Sequence, residues 1–76
     1  MTLRLLAFAQ AADLIGFRER AVTYEPEETA RQVLSRVAAE YDPMHARVAI
    51  DGEYRTWDEP IGPAEELAII PPVSGG

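Results

Sequence analysis

Seventy-six residues, 47% apolar and 26% charged, make one small domain with an ordinary globular balance; two domains are excluded and disorder is disfavoured. A net charge of −6 argues against non-specific attraction to nucleic acid or an anionic membrane surface. Cysteine is absent and all seven basic residues are Arg, which excludes disulfides, thiolate chemistry, a zinc–thiolate site and any catalytic or conjugated lysine.

Thr2 to Phe8 reads as a strand, with Leu3, Leu5 and Ala7 on one face and Arg4, Leu6 and Phe8 on the other. The run around Leu5-Leu6-Ala7-Phe8-Ala9 is too short for a signal peptide, and no stretch has the length of a membrane span. A soluble, cytoplasmic chain is therefore expected. Ala9 to Leu14 is a short helical or irregular stretch closed by Gly16. Arg18 to Tyr24 alternates again, with Val22 and Tyr24 on one face, and Pro26 ends it. Thr29 with Gln32 forms a capping box at the start of a helix. Ala30, Val33, Leu34, Val37, Ala38 and Tyr41 then recur as one apolar stripe, which predicts a helix reaching Tyr41 before Asp42-Pro43 stops it. Arg47 to Ile50 is a short strand with Val48 and Ile50 inward. Asp51-Gly52 signals a two-residue hairpin into a return strand from Glu53 to Trp57. After a turn-rich stretch, Leu67 to Ile70 is the last strand, and Pro71-Pro72 ends it.

One helix must cover the apolar face of one small sheet. This order predicts an α+β chain with a β-grasp (ubiquitin-like) roll. One main helix packs on a small mixed sheet of four to five strands, the first and last adjacent and central. Residues 1–72 form the single domain and 73–76 a flexible C-terminal diglycine tail.

The catalytic inventory is nearly empty. His45, the sole histidine, sits at a turn without a nucleophile at motif spacing, and reads as a turn residue rather than a base. The many carboxylates show no metal-loop spacing and read as a solvated acidic surface, so no metal site is expected. Trp57 reads as a half-buried packing residue. The ending Pro71-Pro72-Val73-Ser74-Gly75-Gly76 stands apart. Chain ends are by default frayed. Yet two prolines and two terminal glycines at set positions arise by chance only on the order of once in 10⁵. Prolines stiffen the exit from the sheet. Glycines make a thread without side chains, able to pass where only backbone fits. Such a thread delivers a carboxylate into another protein's buried site. A carboxylate reacts only once activated, and adenylation by ATP is the biochemical route; an amine then gives an amide tag and a sulfur donor gives a thiocarboxylate.

The chain resembles the ubiquitin-like sulfur-carrier family, and within it the small subunits of molybdopterin synthases. The resemblance rests on Leu5-Leu6-Ala7-Phe8-Ala9-Gln10 followed by Asp13-Leu14-Ile15-Gly16, on the helix from Thr29, and on Leu67 through Gly76 with the proline-proline-valine-serine-glycine-glycine ending. It departs at Ala12, where Arg is common, at Pro63-Ala64-Glu65-Glu66, where Asp-Gly-Asp-Glu is common, and at Ile70, where an aromatic is common.

The resemblance implies that Gly76 is the reacting residue, adenylated by a ubiquitin-activating-like enzyme using ATP and converted to a thiocarboxylate. It implies that Val73, Ser74, Gly75 and Gly76 insert into the active site of the large catalytic subunit. There sulfur passes to cyclic pyranopterin monophosphate and builds the molybdopterin dithiolene in a heterotetramer. This chain binds no cofactor itself. A related carrier for thiamine, cysteine or tRNA thiolation, or a protein modifier, is the alternative. Independently, Leu6 and Phe8 on the first strand and Ile70 on the last predict an apolar patch opposite the helix. With Pro71 and Pro72 they make the expected partner interface. From Arg47 onward two Arg face six acidic residues, net −4, so a basic rim is expected on the partner.

Overall fold

The computed structural model describes residues 1–43 and 46–71. His45, Pro72, Val73, Ser74, Gly75 and Gly76 therefore lie outside the described residues. The elements are β1 (Thr2–Ala7), α1 (Ala9–Ile15), β2 (Glu19–Thr23), α2 (Ala30–Val37), β3 (Arg47–Ile50), β4 (Glu53–Arg55) and β5 (Glu66–Ile70). The sheet order is β2-β1-β5-β3-β4. The first and last strands run parallel at its centre, with Arg4 opposite Glu66 and Ala7 opposite Ile69. The other neighbours are antiparallel. This is the expected β-grasp arrangement, with a second, shorter helix beside the main one.

Alternation decides which face is buried. Leu3 and Leu5 of β1, Leu67 and Ile69 of β5, and Val48 of β3 are all 0% exposed on the side that α2 covers. Each such aliphatic contributes roughly 1.5–3 kcal/mol by leaving water. Ala30, Val33 and Leu34 of α2 close the core from above. The helix starts as its capping box dictates: Thr29 Oγ1 accepts from the Gln32 N–H at 3.1 Å, and Gln32 Oε1 accepts from the Thr29 N–H at 2.9 Å. The α1 helix fits within the β1–β2 connection because Gly16 closes it at φ 90°, in the left-handed region, donating its N–H to Ala12 at 3.0 Å. Asp51 and Gly52 turn the β3–β4 hairpin with both φ values positive, 48° and 84°.

β1 and β2 each end one residue before the expected Phe8 and Tyr24, and two further elements end earlier by two residues or more. The α2 helix stops at Val37 rather than Tyr41. Ala38 donates to Leu34 at 2.7 Å and then swings to φ −142°, and the Tyr41 N–H bonds Ala38 in a separate turn at 3.0 Å. The apolar stripe persists, since Val37, Ala38 and Tyr41 still pack on the core. Apolar spacing reports the buried side, and a turn keeps Tyr41 on that side as well as a helix would. The β4 strand stops at Arg55 rather than Trp57 because Glu59 Oε1 draws in both the Arg55 guanidinium at 2.7 Å and the Thr56 N–H at 3.0 Å. Trp57 is half-buried, as expected, and its indole N–H donates to the Ala46 carbonyl at 2.9 Å.

The long loop after β4 is held by one buried side chain. Tyr24, 1% exposed, accepts the Ala64 N–H at 2.8 Å and donates to the Gly62 carbonyl at 2.8 Å. Backbone bonds from Ile61 to Glu28 and from Gly62 to Pro26, both 2.9 Å, tie the same loop to the start of α2. This strapping fixes where β5 begins, and so where it ends. Among the described residues, no helix is long and apolar enough to cross a membrane.

Candidate functional site

The candidate site is the outer face of the sheet, opposite α2, together with the point where β5 leaves it. The exit is set by hydrogen-bond chemistry. The Phe8 N–H donates to the Ile69 carbonyl at 3.4 Å, the last rung from β1. The next rung would run from residue 71 to the Phe8 carbonyl. Pro71 has no N–H to give, and the Phe8 carbonyl instead takes the Ala11 N–H at 3.0 Å in the first turn of α1. The ladder therefore ends at Ile70. β5 is held by β1 up to Ile69 and by β3 up to Ile70, which lies opposite Arg47.

Register places the outward residues in rows. Leu6 lies beside Ala68, Ala68 beside Ala49, and Ala49 beside Tyr54. Ile70 lies beside Arg47 in the next row. Leu6 and Ile70 are half-buried, Phe8 is 49% exposed, and Pro71 is half-buried. Leu6 of β1 and Ile70 of β5 therefore lie on the same open face, and Phe8, with extended backbone angles, continues the outward alternation of β1. Pro72 and the tail from Val73 to Gly76 lie outside the described residues. Sequence reasoning missed Ala49, Ala68, Tyr54 and Arg47. Ala49 and Ala68 are each only 7% exposed because taller neighbours flank them, so they form a flat floor. Tyr54 is 62% exposed. An aromatic two residues after Asp51-Gly52 was a usable signal, but its face depends on pairing with β3.

The surface is charged at its other end. Arg4 and Glu66, neighbours in register, pair at 2.9 Å. The hydrogen bond that Arg4 donates to Glu66, together with the negative charge of Glu66, raises the Arg4 pKa. Asp51 Oδ1 accepts the N–H groups of Glu65 and Glu66 at 3.1 and 3.0 Å, which gathers further negative charge at the start of β5. Ala12, where the resemblance would have an Arg, is packed in the core at 8% exposure. Among the described residues no cluster of three or more His, Cys, Asp or Glu is placed to hold a metal ion. The geometry thus offers a docking face and an anchored strand that ends beside it.

A model of the ThiS family matches residues 5–76. Molybdopterin synthase sulfur carrier subunits of Caenorhabditis elegans and Caenorhabditis briggsae are 31% and 32% identical to the chain, covering 100% of it and 99% of their own length. The crystal structure of SAMP1 from Haloferax volcanii matches over 100% of both chains with a TM-score of 0.76 at 26% identity.

Proposed function

The chain belongs to the ThiS family, and from that membership we propose that it carries sulfur as the small subunit of a molybdopterin synthase. The observation that carries the reading is the full-length match to sulfur carrier subunits, joined to a central strand whose ladder ends at Ile70, just before the diglycine ending. The chain supplies no catalytic side chain. Its contribution is the Gly76 carboxylate and a surface that positions it.

In this reading a ubiquitin-activating-like enzyme joins the Gly76 carboxylate to the α-phosphate of ATP, releasing pyrophosphate. Hydrosulfide attacks the acyl carbon and AMP leaves, which yields the thiocarboxylate directly; a donor persulfide instead gives an acyl disulfide, whose S–S bond a thiol then cleaves, leaving the thiocarboxylate and a donor disulfide. The tail from Val73 to Gly76 then enters the large catalytic subunit, docked through Leu6, Phe8, Ile70, Pro71 and Pro72. There the sulfur is transferred to cyclic pyranopterin monophosphate. A dithiolene has two sulfurs, so each product requires two loaded tails. The work belongs to the cytoplasm, where ATP and the activating enzyme are at hand.

The test is the intact mass of the chain after incubation with the activating enzyme, ATP and a sulfur source. One oxygen replaced by sulfur at the C-terminus is expected, followed by molybdopterin formation once the large subunit and cyclic pyranopterin monophosphate are added. An unchanged mass, or adducts on target lysines without any thiocarboxylate, overturns the reading.

A further inference from the structure

All seven Lys-or-Arg positions are arginines, and four of the seven are each paired with a carboxylate. Arg4, Arg31, Arg36 and Arg55 meet Glu66, Asp58, Glu28 and Glu59 at 2.9, 2.7, 3.1 and 2.7 Å. Arg47 makes no ion pair among the described residues, although the chain holds thirteen Asp and Glu. Its guanidinium carbon instead lies 4.8 Å from the centre of the Tyr54 ring. Both residues are exposed, and Arg47 sits beside Ile70, the last residue of the central strand.

The surroundings give this pair a shape and a charge. The Ala49–Ala68 floor has Leu6 on one flank and Tyr54 on the other. Three strand spacings separate those flanks by about 14 Å, wide enough for an apolar segment of a partner. The acidic end of the face, at Glu66, is four residues back along β5 from Ile70. At about 3.3 Å per residue that is about 13 Å, beyond the Debye length of about 8 Å in physiological salt. The field of Arg47 at the exit is therefore not cancelled by Glu66. Stacking on Tyr54 also fixes the guanidinium in advance, which lowers the ordering cost of a new contact. A stacked guanidinium with free N–H groups is built to take a carboxylate through two parallel hydrogen bonds.

We propose that Arg47 and Tyr54 form a charged second anchor on this face, and that the large synthase subunit presents an Asp or Glu to it beside the apolar segment that lies on the alanine floor. The identity of that partner rests on the carrier reading above. The partner's rim is then mixed rather than uniformly basic. One carboxylate opposite Arg47 fixes the register in which the tail enters, because any shift toward Glu66 brings like charges together.

The test measures association of the full-length chain with the large subunit from the same genome, by surface plasmon resonance at low and high salt. Arg47→Glu is expected to lower the association rate constant about tenfold at low salt, with the gap narrowing as salt rises. Arg20→Glu makes the same change in net charge on the helix-facing side of β2, at a residue that also stacks on a ring, Phe17, and is expected to bind like wild type. Tyr54→Ala, which frees the guanidinium, is expected to weaken affinity about threefold. If Arg47→Glu lowers the melting temperature, Arg47→Gln, which removes charge without reversing it, carries the test with a smaller loss. Wild-type binding with no change in the Arg47 variants, or equal losses in Arg47→Glu and Arg20→Glu, overturns the anchor alone. A wild-type chain that does not bind the large subunit overturns the carrier reading and the anchor together.

Discussion

Phe8→Ala should uncouple docking from folding. Phe8 is 49% exposed, and its side chain makes no cap bond to α1. An aromatic side chain carries roughly 150–250 Å², so about 100 Å² remains for a partner to cover. At about 25 cal/mol per Å² that area is worth at most about 2.5 kcal/mol, or up to about 60-fold in Kd. Ordering losses in the complex reduce this, so a 10- to 60-fold weakening toward the large subunit is the expected range, roughly 1.4–2.5 kcal/mol. The melting temperature should fall by only a few degrees, since about half of the Phe8 side chain already faces water. Phe8→Asp should weaken binding further, because a charge would lose its hydration without a partner. Isothermal titration against the large subunit, beside a thermal melt of each variant, reads both quantities. A Kd within about threefold of wild type for both variants would show that the outer face is not the docking surface.

Tyr24→Phe should cost about 2 kcal/mol by stranding the buried Ala64 N–H, lowering the melting temperature by about 8–16 °C; a change below about 3 °C in calorimetry would remove Tyr24 as the strap of the loop before β5. Deleting Gly76 should abolish sulfur loading in the intact-mass assay and leave the melt cooperative, because the core cluster is complete between Leu3 and Ile69; a broadened melt contradicts this. Stability should fall slightly with pH in the acid range. The hydrogen bond from Arg31 holds the Asp58 carboxyl below its usual range, and hydrogen bonds from Arg55 and the Thr56 N–H do the same for Glu59. A depressed carboxylate contributes above its unfolded pKa and loses that contribution as pH drops through the folded one. Urea melts of an Asp58→Asn, Glu59→Gln double variant should show a flatter acid limb than wild type, and an identical limb would refute the assignment.

Local stereochemistry is legible residue by residue. Alternation in Leu3-Arg4-Leu5-Leu6-Ala7 named the buried face of β1, Thr29 with Gln32 named the start of α2, and Asp51-Gly52 named the hairpin. Each depends on a few neighbouring torsions or on one side-chain period, so a short window contains the whole cause. The proline-proline and diglycine ending pointed to the chemistry for the same reason: what a proline withholds and what a glycine leaves open are properties of single residues. Where α2 stops is different, because a turn at Ala38 and another helical turn bury Tyr41 alike, and the contacts made by the rest of the chain choose between them. The alanine floor of the outer face is different again. Ala49, Ala68, Tyr54 and Arg47 come from three strands, and nothing in any one segment states that they will adjoin. Likewise the Tyr24 hydroxyl finds partners 38 and 40 residues away. Such neighbours follow from which strand pairing buries the most apolar area at once, a free energy spread over the whole chain. The carrier reading could therefore be drawn from the ending, while the outer face beside the strand exit existed only after β1 and β5 had met.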